Sequence, residues 1–316
     1  MVILWALLGV AVLVLLISYI CYRIVFYAKP SGPMRADEYD IPDGEIYKPH
    51  REAMIAWQKE IRQLHHDDVS VTSFDGLTLW GKYYQCNPGG VIELMFHGYR
   101  GSAERDLCGG VQRAFSLGRN VLIVDQRTSR RSEGKTITFG VNESRDCLTW
   151  VDFMIRHFGP DVRIILTGIS MGAATVVMAS GKELPENVVG ILADCGYTSA
   201  REIIQKCAGE MKLPPKLVYP FIKLGARLFG HFDLEETSPV EAVKHCKLPI
   251  IFFHGESDDF VPCSMSKAVF DACPSPKRLV TIPGAGHGLC YLIDPECYLK
   301  NVAEFFSENG VETTIV

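Results

Sequence analysis

The segment Gly168-Ile169-Ser170-Met171-Gly172 follows the apolar run Ile164-Ile165-Leu166-Thr167 and precedes small and apolar residues at helical spacing. This succession reads as a buried strand, a tight turn and a helix, with Ser170 at the apex. The turn implies a strained backbone at Ser170, and a Cβ at Gly168 or Gly172 would crowd the helix against the strand. A serine hydroxyl is a weak nucleophile near neutral pH. It needs a base to take its proton and a carboxylate to orient that base. Downstream, Phe253-His254-Gly255-Glu256-Ser257-Asp258-Asp259 places carboxylates just after an apolar strand. Pro283-Gly284-Ala285-Gly286-His287-Gly288 then places a histidine on a glycine-rich loop after the last strand. The order Ser170, Asp258, His287, each at the carboxyl end of a strand, is the one expected around a strand–turn–helix elbow. Asp259 competes with Asp258, since one residue reverses side-chain direction, and Asp194 reads as structural. The developing oxyanion would need two donors, assigned to the amides of Met171 and of Tyr99 in Phe96-His97-Gly98-Tyr99-Arg100-Gly101. His97 and His254 each precede a glycine at a strand end and read as loop-bracing groups.

The elements that must position these residues are legible in the hydrophobic pattern. Val69 to Phe74 and Leu77 to Tyr84 flank Asp75-Gly76, a hairpin signature. Short apolar strands follow at Val91–Phe96, Val121–Val124, Val162–Leu166, Val188–Ala193, Pro249–Phe253 and Arg278–Ile282. Helical patterns separate most of them, at Glu104–Leu117, Glu143–Phe158, Met171–Glu183, Pro239–His245, Ser264–Ala272 and Pro295–Glu308. An antiparallel opening followed by alternating strands and helices predicts an α/β fold, its mostly parallel sheet covered on both faces. Ligands in such sheets bind at the carboxyl ends of strands, where Ser170 sits. The long interval between Asp194 and Pro249 breaks the alternation. Its apolar stretch Pro214–Gly230 predicts a short helical lid, about residues 197–236, with Phe221 as a candidate wall for an acyl chain. The alternatives are a lid that packs on its own domain or one that dips into a membrane.

Residues Met1 to Tyr22 carry no charged side chain. As a helix they would extend about 33 Å at about 1.5 Å per residue, enough to cross a bilayer. A cleaved signal peptide would want a basic start, a shorter apolar run and a small-residue cleavage site, none of which is clear. Arg23, Lys29 and Arg35 follow the span and no basic residue precedes it, which puts the carboxyl side in the cytoplasm. The expected organisation is a single-pass anchor at 1–27, a linker and brace helix at 28–68, and a catalytic domain at 69–316. The His65-His66-Asp67-Asp68 run reads as a polar helix end and not as a metal site, because adjacent residues do not converge on one ion. Eleven cysteines without a C-x-x-C pair argue against zinc ribbons and a disulfide framework. A net charge of −5 gives no reason to expect nucleic-acid binding.

With these pieces placed, the chain resembles the α/β-hydrolase superfamily, most closely its membrane-anchored serine hydrolases and their bacterial relatives. The resemblance covers about residues 69–308 and rests on His97-Gly98-Tyr99, Asp125-Gln126-Arg127, Ser132-Glu133-Gly134-Lys135, the Ser170 elbow, the Asp258 loop and Gly286-His287-Gly288. It implies Asp258 as the acid, since this is the first aspartate of the family's H-G-x-x-D-x-x-V-P pattern. One departure is Thr128-Ser129-Arg130-Arg131, where relatives commonly carry an Ala-His-Gly-like segment. With Arg127 it could cluster three guanidinium groups near the site and favour an acidic substrate or anionic headgroups. The alternative is a basic loop paired with nearby carboxylates.

The expectation is therefore a membrane-tethered serine hydrolase acting on a small carboxylic ester or thioester, with no metal or organic cofactor. A serine aminopeptidase-like peptidase is the alternative within the same chemistry. A catalytically silent hydrolase-fold scaffold is the alternative of another class.

Overall fold

A computed structural model describes residues 1–311 of the chain. Eight strands form one sheet: β1 (Asp67–Thr72), β2 (Thr78–Tyr84), β3 (Ile92–Phe96), β4 (Asn120–Asp125), β5 (Ile164–Ile169), β6 (Val188–Asp194), β7 (Ile250–Gly255) and β8 (Lys277–Ile282). Their spatial order is β1-β2-β4-β3-β5-β6-β7-β8. β2 pairs antiparallel with β1 and β4, and every other pairing is parallel. The expected antiparallel opening and parallel remainder are thus both present.

The chain passes from β3 outward to β4, then returns across β3 to β5, so the direction of winding reverses between β3 and β5. Loops leaving such a pair diverge and open a crevice at the strand ends. The Tyr99 loop and the Ser170 elbow leave from these two strands. β3 to β7 are buried along nearly their whole length, which is why they read as continuous apolar runs, whereas edge strand β1 alternates exposed with buried.

The helices are α1 (Val2–Val25), α2 (Arg51–Gln63), α3 (Ala103–Ser116), α4 (Glu143–Phe158), α5 (Met171–Ser180), α6 (Ala200–Glu210), α7 (Pro215–Phe229), α8 (Pro239–Ala242), α9 (Cys263–Ala272), α10 (Cys290–Ile293) and α11 (Pro295–Glu308). α5 is buried on every side, which its Gly172, Ala173, Ala174 and Ala179 permit. α6 and α7 form the helical insertion expected between β6 and β7. Beneath the sheet, Glu93 of β3 lies fully buried between the guanidinium groups of Arg113 and Arg119. Burial alone would push its carboxyl up, but the two arginines outweigh this and hold it down at about 2.

Two segments are more closely joined to the domain than the sequence implies. α1 is long and apolar enough to cross a membrane, yet its last turns are not free. Tyr22 and Phe26 belong to a core cluster with Phe139, Tyr197 and Phe232. Tyr27, the last residue of the expected anchor, pairs with Thr136, and the segment expected to be linker carries a 3-10 turn over Glu45–His50 with Tyr47 buried. An aperiodic stretch carries no sign of either contact.

Candidate active site

Ser170 sits between β5 and α5 with φ 56° and ψ −117°, a conformation that side chains other than glycine rarely adopt. The flanking glycines make the turn possible. A Cβ on Gly168 would come within 2.1 Å of the Gly172 carbonyl oxygen, and one on Gly172 within 2.0 Å of that of Phe96. Helix α5 can therefore approach β3 and β5 only without those side chains, as the sequence predicts.

His287 lies in the loop after β8. Its Nε2 is 2.9 Å from Ser170 Oγ, and its Nδ1 is 2.7 Å from Asp258 Oδ2. Since a carboxylate only accepts, Nδ1–H donates to Asp258, which leaves Nε2 to accept from the serine hydroxyl. The other oxygen, Asp258 Oδ1, accepts from the amides of Phe260 (3.0 Å) and Val261 (2.8 Å). Burial pushes the Asp258 carboxyl up, but hydrogen bonds from His254 and His287 outweigh it and hold the group below the usual carboxylate range. Asp258 is thus an anion fixed on four sides. Asp259 makes no bond to the imidazole; it lines the cavity in front of Ser170. Asp194 accepts from the Tyr298 hydroxyl at 3.0 Å, and burial raises its carboxyl, in keeping with a structural role.

The loop after β3 is held from below. His97 is buried, its Nδ1 2.8 Å from the Gly98 carbonyl and its Nε2 accepting from the Gln126 amide at 3.0 Å. Burial depresses this imidazole to about 4, so it stays neutral. Asp106 accepts from the Gly98 amide at 3.1 Å and from Arg105 Nε at 2.6 Å. A Cβ on Gly98 would lie 3.5 Å from that of Ser170, so the loop passes directly over the hydroxyl. Among the described residues, no backbone carbonyl accepts from the amides of Tyr99 or Met171. His254 braces the acid loop in the same way as His97 braces this one, through Ser266 and the Val261 carbonyl.

A cavity of about 530 Å³ opens in front of Ser170 and His287. Its walls include Pro42, Ile46 and Tyr47 from the segment expected to be linker, and Phe260, whose ring meets that of His287 edge-on at 5.0 Å. The Tyr47 hydroxyl donates to the His287 carbonyl at 3.0 Å and steadies the histidine loop. Neither Tyr47 nor Asp106 is recognisable from sequence. Tyr47 lies in an aperiodic stretch, and Asp106 has the spacing of an ordinary helical carboxylate. Phe221 on α7 does not line this cavity, so the expectation of an acyl-chain wall there is corrected. α7 turns Tyr219, Ile222 and Ala226 toward its own domain instead.

The three arginines after β4 do not form one cluster: Arg127 and Arg130 line a common cavity and Arg131 points away from it. Arg127 is buried and paired with Asp146 and Asp75, while Arg131 pairs with Asp68 and covers the Trp80 ring. Arg130 has φ 46° and a Glu38 oxygen at 3.5 Å. It lines a second cavity of about 250 Å³ together with Arg127, Lys29, Arg100, Arg105 and Asp40. The paired-loop alternative therefore holds for Arg127 and Arg131, and Arg130, beside Glu38, faces a largely basic pocket.

Cys195, Asp258 and His287 bring possible ligand atoms within 4.8 Å of one another. Burial raises the Cys195 thiol well above its ordinary value, which opposes the thiolate that a metal would require. The arrangement suits proton transfer between Ser170 and His287 better than metal coordination.

Comparison with known proteins adds a family. The pattern described as the prolyl oligopeptidase family matches residues 133–309, more than half of the chain. The uncharacterized protein YqkD of Bacillus subtilis is 28% identical over 198 residues, which are 62% of this chain and 65% of that one, just under two thirds of its length. The uncharacterized protein Rv2307c of Mycobacterium tuberculosis is 26% identical over 246 residues, 77% of this chain and 80% of that one. Among solved structures, the Pyrococcus furiosus esterase Pf2001 superposes with a TM-score of 0.66 at 20% identity, covering 89% of this chain and 98% of the esterase. That likeness carries the fold.

Proposed function

Since the chain belongs to the prolyl oligopeptidase family of α/β-fold hydrolases, we propose that it is a membrane-tethered serine hydrolase of carboxylic esters or thioesters. The observation that carries this reading is the unbroken hydrogen-bonded series from Ser170 Oγ through His287 to Asp258. In this mechanism Ser170 attacks the acyl carbon while His287 Nε2 takes its proton. Asp258 keeps the imidazole in the required tautomer and stabilises the imidazolium that forms. The amides of Tyr99 and Met171, the latter at the positive end of α5, receive the oxyanion. His287 then returns the proton to the leaving group, and water repeats the sequence on the acyl-enzyme. No cofactor enters these steps.

A second reading has its own support. Asp43, Glu45 and Asp259 line the same cavity, and acidic groups there suit the free amino end of a short peptide. The peptidase reading is tested beside the esterase one by a panel of nitrophenyl esters, thioesters and aminoacyl nitroanilides. The proposal expects the esters or thioesters to be turned over with the higher kcat/KM, and all turnover to vanish in Ser170→Ala. Nitroanilides cleaved faster would favour the peptidase. A folded chain inactive on all three would favour the scaffold.

Tethering rests on α1, whose 24 residues exceed what a bilayer requires. Burial of Ser18, Tyr22 and Phe26 against the domain supports a retained helix over a cleaved leader. Arg23 in its last turn, with Lys29 and Arg35 beyond it, supports a cytoplasmic domain.

A further inference from the structure

α7 carries two apolar faces, and only one of them is used by the domain. Tyr219, Ile222 and Ala226 are buried inward. On the outer side, Leu217, Pro220, Leu224 and Leu228 recur at helical spacing and form one stripe. Leu217 is 65% exposed and Leu228 42%, and the preceding turn adds Met211 at 64% and Leu213 at 42%. A stripe of this kind on a folded domain marks a surface meant to be covered.

The position of α7 says what covers it. Gly225 lies so close to α1 that a Cβ would meet the Ser18 carbonyl oxygen at 2.4 Å. Phe229 packs edge-on against Tyr19 at 5.1 Å, and Phe232 against Phe26 at 5.3 Å. These contacts set α7 against the last two turns of α1. A span needs about 20 residues to cross the hydrocarbon, which takes in most of α1 up to Cys21. From Ser18 on, one face of α1, with Ser18 and Tyr22 buried, packs on α7 and the domain, so the two helices meet at the membrane boundary. Beside the apolar stripe runs a cationic one, Lys216, Lys223 and Arg227. Lys223 pairs with Glu235, while Lys216 and Arg227 have no carboxylate partner among the described residues. An apolar stripe edged with free cations is the pattern of a helix seated at an anionic lipid surface.

We propose that α7 is a second membrane-contacting element, which lays its outer stripe into the bilayer beside α1 and seats the hydrolase domain directly on the lipid. The proposal rests on the reading that α1 crosses the bilayer. It gives the lid region a role at the membrane in place of one over Ser170.

The test uses the full chain in vesicles of phosphatidylcholine and phosphatidylglycerol. The photo-crosslinking residue benzoylphenylalanine is placed, one position at a time, at Leu8 of α1, at Leu217 and Leu228 of α7, and at the exposed Arg156 of α4. Lipid adducts are expected at Leu8, Leu217 and Leu228, several-fold above those at Arg156. Adducts at Leu8 with only background at Leu217 and Leu228 would overturn docking and leave the span standing. Adducts joining two chains through Leu217 would replace the lipid with a second copy and overturn it equally. Background at Leu8 as well would remove the spanning reading and docking together.

Discussion

α5 and α7 are both apolar helices of the same domain, and they are held in opposite ways. α5 is enclosed on all sides, built of small residues, and its entry turn is fixed by backbone strain and by carbonyls that leave no room for a Cβ. α7 uses large side chains, buries one face and leaves an equally apolar one outside. Position at α5 is therefore set by contacts of atomic precision, and position at α7 by area removed from water. The difference separates two kinds of failure. Damage at the elbow should abolish chemistry in a folded protein, whereas damage on the α1–α7 flank should loosen or misplace a protein whose chemistry survives.

The largest effects belong to the elbow. Ser170→Ala or His287→Ala should lower kcat by about 10⁴-fold or more while the melting temperature stays near that of the wild type. Asp258→Asn should cost nearly as much, because an amide can hold His287 in the wrong tautomer, whereas Asp259→Asn should change kcat/KM by less than about tenfold. Kinetics on one soluble ester would check all four variants. Equal losses in the two aspartate variants would contradict the assignment of the acid.

Below the elbow, the buried Glu93 separates stability from chemistry. Its folded-state value of about 2 lies under the ordinary 4.5, so its contribution is complete above about 4.5 and is lost as pH falls toward 2. Glu93→Gln strands two buried guanidinium groups and should cost about 3–5 kcal/mol at neutral pH. Urea unfolding should show the gap to wild type shrinking steadily as the pH is lowered from about 5 toward about 3. A gap independent of pH would contradict the ionised pairing.

On the flank, Gly225→Val should force α7 away from α1 and destabilise by about 1–3 kcal/mol. Activity on a soluble ester should change only a few-fold, measured beside the unfolding midpoint. The smallest effect is expected from Arg130→Ala. The ratio of kcat/KM for an anionic ester to that for its neutral analogue should fall several-fold, since Arg130 faces a cavity that Lys29 and Arg100 also line. An unchanged ratio would leave that pocket without a part in substrate choice.

The elbow is legible in the sequence and the flank is not, for a physical reason. Ser170, Asp258 and His287 each follow a strand, and a parallel sheet brings strand ends together whatever the loops contain, so order and spacing suffice. Gly168 and Gly172 are readable because the turn leaves no alternative. Tyr47, Phe260 and Asp106 reach the site from a 3-10 turn, a loop and the side of α3, and no periodicity announces them. The apolar pattern of α7 is plain, but a stripe does not name its neighbour. Pattern alone therefore assigns Phe221 to the substrate cavity, whereas the apolar surface that α7 meets belongs to α1.

The central claim is that His287 and Asp258 make Ser170 a nucleophile. A fluorophosphonate probe reacts with a serine only when such activation exists, so it reads that claim without knowledge of the substrate. The account predicts stoichiometric labelling of the full chain in detergent or vesicles, loss of labelling in Ser170→Ala, and strong slowing in His287→Ala. A folded wild-type chain that stays unlabelled, or a Ser170→Ala variant that labels as well as the wild type, would contradict it.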